Sequence, residues 1–219
     1  MANLKIGLTD FKPYSSLNPE TGLCAGSAVQ IAKQLMSEYN YNVEGVCASP
    51  TRIFRLITNG QIDLALNIKS TVAINDKVTF TQVPFTSLVL NLYTQRNLRD
   101  NNKFIAVIRG YDYDGYKRKF GDEGFEFIEV PDNEDAIRLF MNKRVNYLLA
   151  YEAPFKHYLK ELEAKDLSFT QTNYNKQQLS SVDTYYAISK ASRYHDSLVK
   201  VFSKIDQAKV SKYHLEIVD

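Results

Sequence analysis

The chain has 219 residues, 44% of them hydrophobic, and a formal charge of only +2 from 27 basic and 25 acidic residues. That is enough apolar material for one large domain or two small lobes, and the scattered charge leaves no basic stripe for nucleic acid or an acidic membrane. No apolar run approaches the ~20 residues of a membrane-spanning helix, so small neutral or modestly charged ligands remain. Met1-Ala2-Asn3 runs straight into the first apolar segment, which is how a chain reads once a leader has been removed and also how a cytosolic chain begins.

Leu4-Ile6-Leu8 alternates as a strand. Ser27, at capping-box spacing from Gln30, opens a helix with Ala28, Ile31, Ala32, Leu35, Met36 and Tyr39 on one face. A second strand is predicted over 42–48. Ser49-Pro50 then caps and starts a short helix carrying Ile53, Leu56 and Ile57, which Asn59-Gly60 ends. Residues 61–68, QIDLALNI, read as the third strand. After a polar break over 96–103 the alternation resumes: strand 104–108, helix 115–120, strand 125–130, helix 133–143, strand 146–151 and helix 153–164. A last strand over 184–189 precedes a helix carrying Leu198, Val201, Phe202 and Ile205, and the tail has room for one more short helix. Strands alternating with helices predict parallel sheets covered by helices.

One stretch is echoed. Asn59-Gly60-Gln61-Ile62-Asp63-Leu64-Ala65-Leu66 and Asn142-Lys143-Arg144-Val145-Asn146-Tyr147-Leu148-Leu149 both read as a helix end, a polar turn and an apolar strand, so two similar α/β lobes are expected rather than one continuous sheet. In that register Lys69 falls opposite Glu152. Parallel sheets bind ligands beyond the carboxyl ends of their strands, and Asn67, Lys69 and Thr71 share one parity at such an end. Taken singly, Lys69 reads equally as a solvated loop lysine paired with a nearby carboxylate.

The segments LKIGLTDFKPY (4–14), GLCAGSAVQIAKQL (22–35), NGQIDLALN (59–67), KVTFTQVPF (77–85) and VIRGY (107–111) resemble, in order and spacing, the polar-amino-acid class of bacterial extracellular solute-binding proteins. The resemblance implies the type 2 periplasmic binding protein fold: α/β, two lobes with mostly parallel sheets joined by two crossover strands, a ligand cleft between them and closure about a hinge. Lobe 1 would take residues 1–92 and 184–219, and lobe 2 residues 93–183. Phe11 matches the family's stacking aromatic, Tyr14 follows the shared proline, and Tyr111 and Tyr151 would add phenols from the second lobe. Each ring alone also suits core packing. The family's carboxylate-gripping arginine falls at Ile74 here, its ammonium-binding aspartate at Tyr151, and its Ser or Thr after the second-lobe glycine at Tyr111. A standard amino acid in the usual pose is therefore not expected. Lys69 can serve instead as a point-charge anion anchor, Arg109 as a planar fork, and Glu152 as a partner for a cationic or hydroxyl group.

No catalytic constellation stands out. His157, His195 and His214 lack metal-ligand spacing with the two cysteines, and Gly110-Tyr111-Asp112-Tyr113-Asp114-Gly115 fails as a phosphate or calcium loop and reads as a turn. No enzyme activity, cofactor, metal or nucleic acid is expected. The expected partners are a small-molecule ligand and a membrane permease or a sensor, the chain itself being a monomer in the periplasm. A sensory module and a small-acid dehydratase, with Glu152 as general acid, are the other readings. Cys24 lies just before the first helix and Cys47 near the end of the second strand, positions that share an edge of a parallel sheet. The oxidising compartment implied by the resemblance favours a Cys24–Cys47 disulfide over two buried thiols.

Overall fold

A computed structural model describes residues 2–97, 102–165 and 174–207. The residues up to Ser87 and from Asp183 onward form one compact unit, and Leu88–Val182 forms the second.

In the first unit, β1 (Ala2–Leu8) leads through the short hairpin strands β2 (Ser16–Leu17) and β3 (Cys24–Ala25) to α1 (Ser27–Ser37), β4 (Tyr41–Cys47), α2 (Pro50–Thr58), β5 (Leu64–Ile68) and β6 (Val78–Phe80). β1 pairs in parallel with β4 from Ala2↔Tyr41 to Leu8↔Cys47 and with β5 at Ile6↔Leu64 and Gly7↔Ala65. The chain leaves this unit through β7 (Thr86–Gln95) and continues as β8 (Phe104–Ile108), α3 (Tyr116–Asp122), β9 (Glu126–Val130), α4 (Asn133–Met141), β10 (Tyr147–Tyr151) and α5 (Glu152–Lys165). It returns through β11 (Tyr174–Ser189) to α6 (His195–Gln207). β8 pairs in parallel with β9 and β10, and β7 runs antiparallel to β10. The end of β11 runs antiparallel to β5 and β6.

Each unit is thus strand-helix-strand-helix-strand with its first strand central and an antiparallel strand beside its third. The sequence echo is a repeated piece of backbone. At the end of α2, Gly60 N–H donates to the Ile57 carbonyl and Gln61 N–H to Leu56; at the end of α4, Lys143 N–H donates to Phe140 and Arg144 N–H to Leu139. Both are Schellman caps, which need a left-handed residue, supplied by Gly60 at φ 67° and Lys143 at φ 56°. A lysine is strained there by roughly 1–2 kcal/mol, less the unfolded-state entropy that a glycine adds. Lys143→Gly is expected to raise stability by roughly 0.5–1 kcal/mol, read as a higher urea midpoint for the second unit's transition; an unchanged or lower midpoint would refute the assignment.

The core of the first unit packs Ile53 and Ile57 of α2 with Ile62, Ala65, Ile74, Val78 and Ala187. That of the second packs Ala136, Ile137, Phe140 and Met141 of α4 with Tyr93, Ala106, Leu148, Ala150 and Phe155. Asp63, 8% exposed, ties three segments together: its carboxylate accepts Lys5 N–H at 2.8 Å and the Ser192 hydroxyl at 2.5 Å, and its carbonyl accepts Ser189 N–H at 2.9 Å.

Several sequence expectations need correction. The third strand starts at Leu64 rather than at residue 61, because the Schellman cap uses Gln61 and bends the chain through Ile62 and Asp63. The residue before α1 is Gly26, and Ser27, already inside the helix, forms no capping box with Gln30. The last strand begins at Tyr174, ten residues before 184, and α5 begins at Glu152. The helix expected over 115–120 spans Tyr116–Asp122, and that over 133–143 stops at Met141. β2, β3, β6 and β7 were not anticipated as strands. The tail helix falls at 208–219, outside the described residues, as does His214.

Candidate functional site

The candidate residues sit at the carboxyl ends of the parallel strands in each unit, at matching offsets. Phe11 is the third residue past β1 and Tyr111 the third past β8, while Lys69 and Glu152 are each the first past β5 and β10. Equivalent backbone therefore carries an aromatic in both units and opposite charges.

In the first unit the turn after β1 closes on itself. Phe11 N–H donates to Ser15 O at 2.9 Å, Tyr14 N–H to Phe11 O at 2.9 Å, and the Ser15 hydroxyl to Thr9 O at 2.7 Å, around a cis Lys12–Pro13 bond. The Phe11 and Tyr14 rings stack with centroids 6.1 Å apart. Both are 9% exposed, and burial raises the Tyr14 phenol, keeping it a proton donor. Asn67 Oδ1 accepts the Ile68 N–H and the Thr71 hydroxyl, each at 2.8 Å. Lys69 is exposed, and its ammonium lies 3.8 Å from the centroid of the Tyr185 ring, with no carboxylate partner among the described residues.

In the second unit Tyr113, Asp114 and Gly115 are three consecutive left-handed residues, φ 52°, 58° and 83°, so the glycine-bounded stretch is a tight turn. The buried Tyr113 hydroxyl accepts Ile108 N–H at 2.7 Å and is held protonated chiefly by burial. Its ring lies 5.7 Å from Tyr111 and 5.9 Å from Tyr151. Tyr151, 6% exposed, likewise has its phenol raised, first by burial and then by Tyr111, Asp112 and Asp114. Arg109 Nε stands 4.0 Å from the Glu129 carboxylate, which Lys117 also binds. Glu152 accepts from Lys176 at 2.8 Å and pairs with Lys156 at 3.3 Å. The Lys176 hydrogen bond, more than any other cause, lowers its pKa, so Glu152 is an ionised acceptor rather than a proton donor.

Sequence reasoning missed Tyr185 and Tyr113. Tyr185 is the cross-strand partner of Asn67, a relation that appears only once the register of β11 against β5 is known. Tyr113 sits inside the stretch dismissed as a turn. Of the histidines, His195 joins Thr79 and Asp196 at 2.9 and 2.8 Å, and His157 joins Glu161 at 3.4 Å. Among the described residues no His, Cys, Asp and Glu group could hold a metal, and no helix is long and apolar enough to cross a membrane.

No protein-family model matches the sequence, and no curated protein sequence matches it. Solved structures do match. A histidine kinase sensor domain with similarity to periplasmic binding proteins is 18% identical, with 96% of this chain and 92% of that one covered and a TM-score of 0.75. An ancestral arginine-binding protein bound to glutamine is 17% identical, over 97% of this chain and 95% of that one, with a TM-score of 0.75. An ancestral amino-acid-binding protein, a precursor of cyclohexadienyl dehydratase, is 18% identical over 97% and 92%, with a TM-score of 0.73. The fold is that of a type 2 periplasmic binding protein. Ile74, where the sequence resemblance sets the family's arginine, is 0% exposed and packed in the first unit's core. The disulfide is present: Cys24 and Cys47 are bonded, with Cα atoms 4.8 Å apart, fixing the β2–β3 hairpin to the end of β4.

Proposed function

We propose that this protein captures a small polar or anionic solute and presents it to an ABC-type transporter in the periplasm. The observation that carries the reading is the strand-end lysine: Lys69 holds a positive charge in the open, beside Asn67 and Thr71, while the arginine position is apolar and buried. Phe11 and Tyr14 supply the first unit's aromatic surface. Arg109, Tyr111, Tyr151 and Glu152 are the corresponding groups of the second unit. With Tyr151 in the aspartate's place, the solute is not a standard amino acid in the usual pose. The disulfide fits an oxidising compartment.

The test is to identify by native mass spectrometry the solute that co-purifies, then to titrate it into the parent and into Lys69→Met. Loss of a charge-assisted hydrogen bond is expected to weaken binding by roughly 1.5–3 kcal/mol. Equal affinity would remove Lys69 from the site.

A sensing role on the same fold is the second reading, favoured by the similarity to a kinase sensor domain. Permease and ATPase genes beside this one would support delivery, and a kinase or cyclase gene would support sensing. A dehydratase is disfavoured by the state of Glu152, since a carboxylate held ionised by Lys176 is a poor general acid.

A further inference from the structure

The antiparallel register of β5 and β11 sets Asn67 directly opposite Tyr185, so the two side chains share one face of the sheet, and Lys69 follows two residues on at the same parity. Asn67 Oδ1 receives two donors, the Ile68 N–H and the Thr71 hydroxyl. Two donors converging on one atom identify it as the oxygen and turn the amide's NH₂ the other way. Among the described residues that NH₂ donates to no partner, and Lys69 pairs with no carboxylate. The Thr71 hydroxyl proton is already committed to Asn67. What the strand end offers a ligand is therefore N–H donors with a positive charge among them, a combination that suits a carboxylate, phosphate or sulfonate and disfavours an amine.

A lysine carries a flexible stem and makes a poor fixed anchor unless something holds it. Here the ammonium rests on the Tyr185 ring at 3.8 Å from the centroid, inside the range for cation–π attraction. Burial first, and then the nearby Asp183 carboxylate, raise the Tyr185 phenol, and Asp183 itself accepts the Ser87 hydroxyl. We propose that the Asn67 amide and the Lys69 ammonium form an anion-binding pair, and that Tyr185 is the positioning residue that holds the lysine in place. The proposal rests on the solute-binding reading and narrows it to solutes bearing an anionic group.

Reductive methylation with ¹³C-formaldehyde keeps the lysine charge and gives each lysine an NMR signal; the Lys69 signal is the one absent from Lys69→Arg. In the parent its methyl protons are expected upfield, shifted by the ring current of Tyr185. The shift should vanish in Tyr185→Leu and return in Tyr185→Phe, which keeps the ring and excludes a merely structural loss. Sodium acetate, titrated at ionic strength held constant with sodium chloride, should move the Lys69 signal along a saturating curve. The apparent dissociation constant should rise roughly two- to fivefold in Tyr185→Leu and about two- to tenfold in Asn67→Leu, with Tyr185→Phe restoring the parental value. Absence of the ring-current shift in the parent overturns the role of Tyr185. A ring-current shift with no response to acetate, or equal responses in the parent and both leucine variants, overturns the anion pair. The solute-binding reading stands or falls separately, on the co-purified solute and its affinity for Lys69→Met.

Discussion

Reduction of the Cys24–Cys47 bridge is expected to lower the melting temperature of the first unit by roughly 6–12 °C. The bond joins residues 23 apart in sequence, and removing it restores to the unfolded chain the freedom of a loop of that length, about 3 kcal/mol on the chain-entropy model. At the size of this chain, each kcal/mol is worth roughly 2–4 °C. The folded state also loses a clamp. The strand pairing there is short, with β3 meeting β2 at Ser16↔Ala25 and Leu17↔Cys24. Differential scanning calorimetry with and without a reductant reads the effect, and Cys24→Ala with Cys47→Ala should reproduce it without reductant. Thiol titration of denatured, unreduced protein should find no reactive thiol; two per chain would contradict the bridge, and an unchanged melting temperature would contradict its energetic role.

Gly26→Ala is expected to cost about 2–5 kcal/mol and to disturb the aromatic turn as well. Gly26 has φ 126°, a conformation that L side chains rarely adopt, and a Cβ there would press into the Tyr14 carbonyl oxygen and lie 2.9 Å from its carbon. Backbone strain of roughly 1–2 kcal/mol adds to overpacking of roughly 1–3 kcal/mol. Relief cannot come from a rotamer change, because the obstacle is backbone. The Tyr14 carbonyl also accepts the Ala28 N–H at 3.0 Å in the first turn of α1, so pushing it aside unseats the helix start and the ring stacked on Phe11. Urea unfolding measures the first effect, and Tyr14 near-ultraviolet circular dichroism the second. A variant as stable as the parent would show that the turn can shift without cost.

What the sequence made legible follows from how local each signal is. The strand Phe104–Ile108 is found to the residue because FIAVI is an apolar run between polar flanks, with every residue after Phe104 buried. β11 was half missed because Tyr174–Val182 is mostly exposed and carries NKQQ, with no alternation to mark it. Its partners there are distant: Arg96 donates to Asn175 and the Tyr116 hydroxyl to Leu179 O. The same divide runs through the candidate site. Lys69 could be singled out because its place just past an apolar strand is a local fact. Tyr185 could not, since its meeting with Lys69 depends on the register of strands more than a hundred residues apart. The charge state of Glu152 was equally hidden, being set by Lys176 on another element. Ser27 and Gln30 show the opposite error, a correct local spacing overruled because the chain enters the helix through Gly26.

The division of the chain also imposes an order on its folding. Leu88–Val182 is continuous, whereas the first unit is assembled from both ends of the sequence. When the ribosome has made everything up to Ser87, β5 has β1 on one side and nothing on the other, because β11, its antiparallel partner, is still to be translated. At roughly 5–20 residues per second, the intervening 95 residues (88 to 182) take about 5–20 s to emerge. Throughout that interval the nascent protein carries an unsatisfied strand edge and lacks α6, whose Leu198, Phe202 and Ile205 are buried in the finished fold. Such an edge is a template for pairing with other chains. The inserted unit can complete itself first, and the unit that begins the sequence is the last to close.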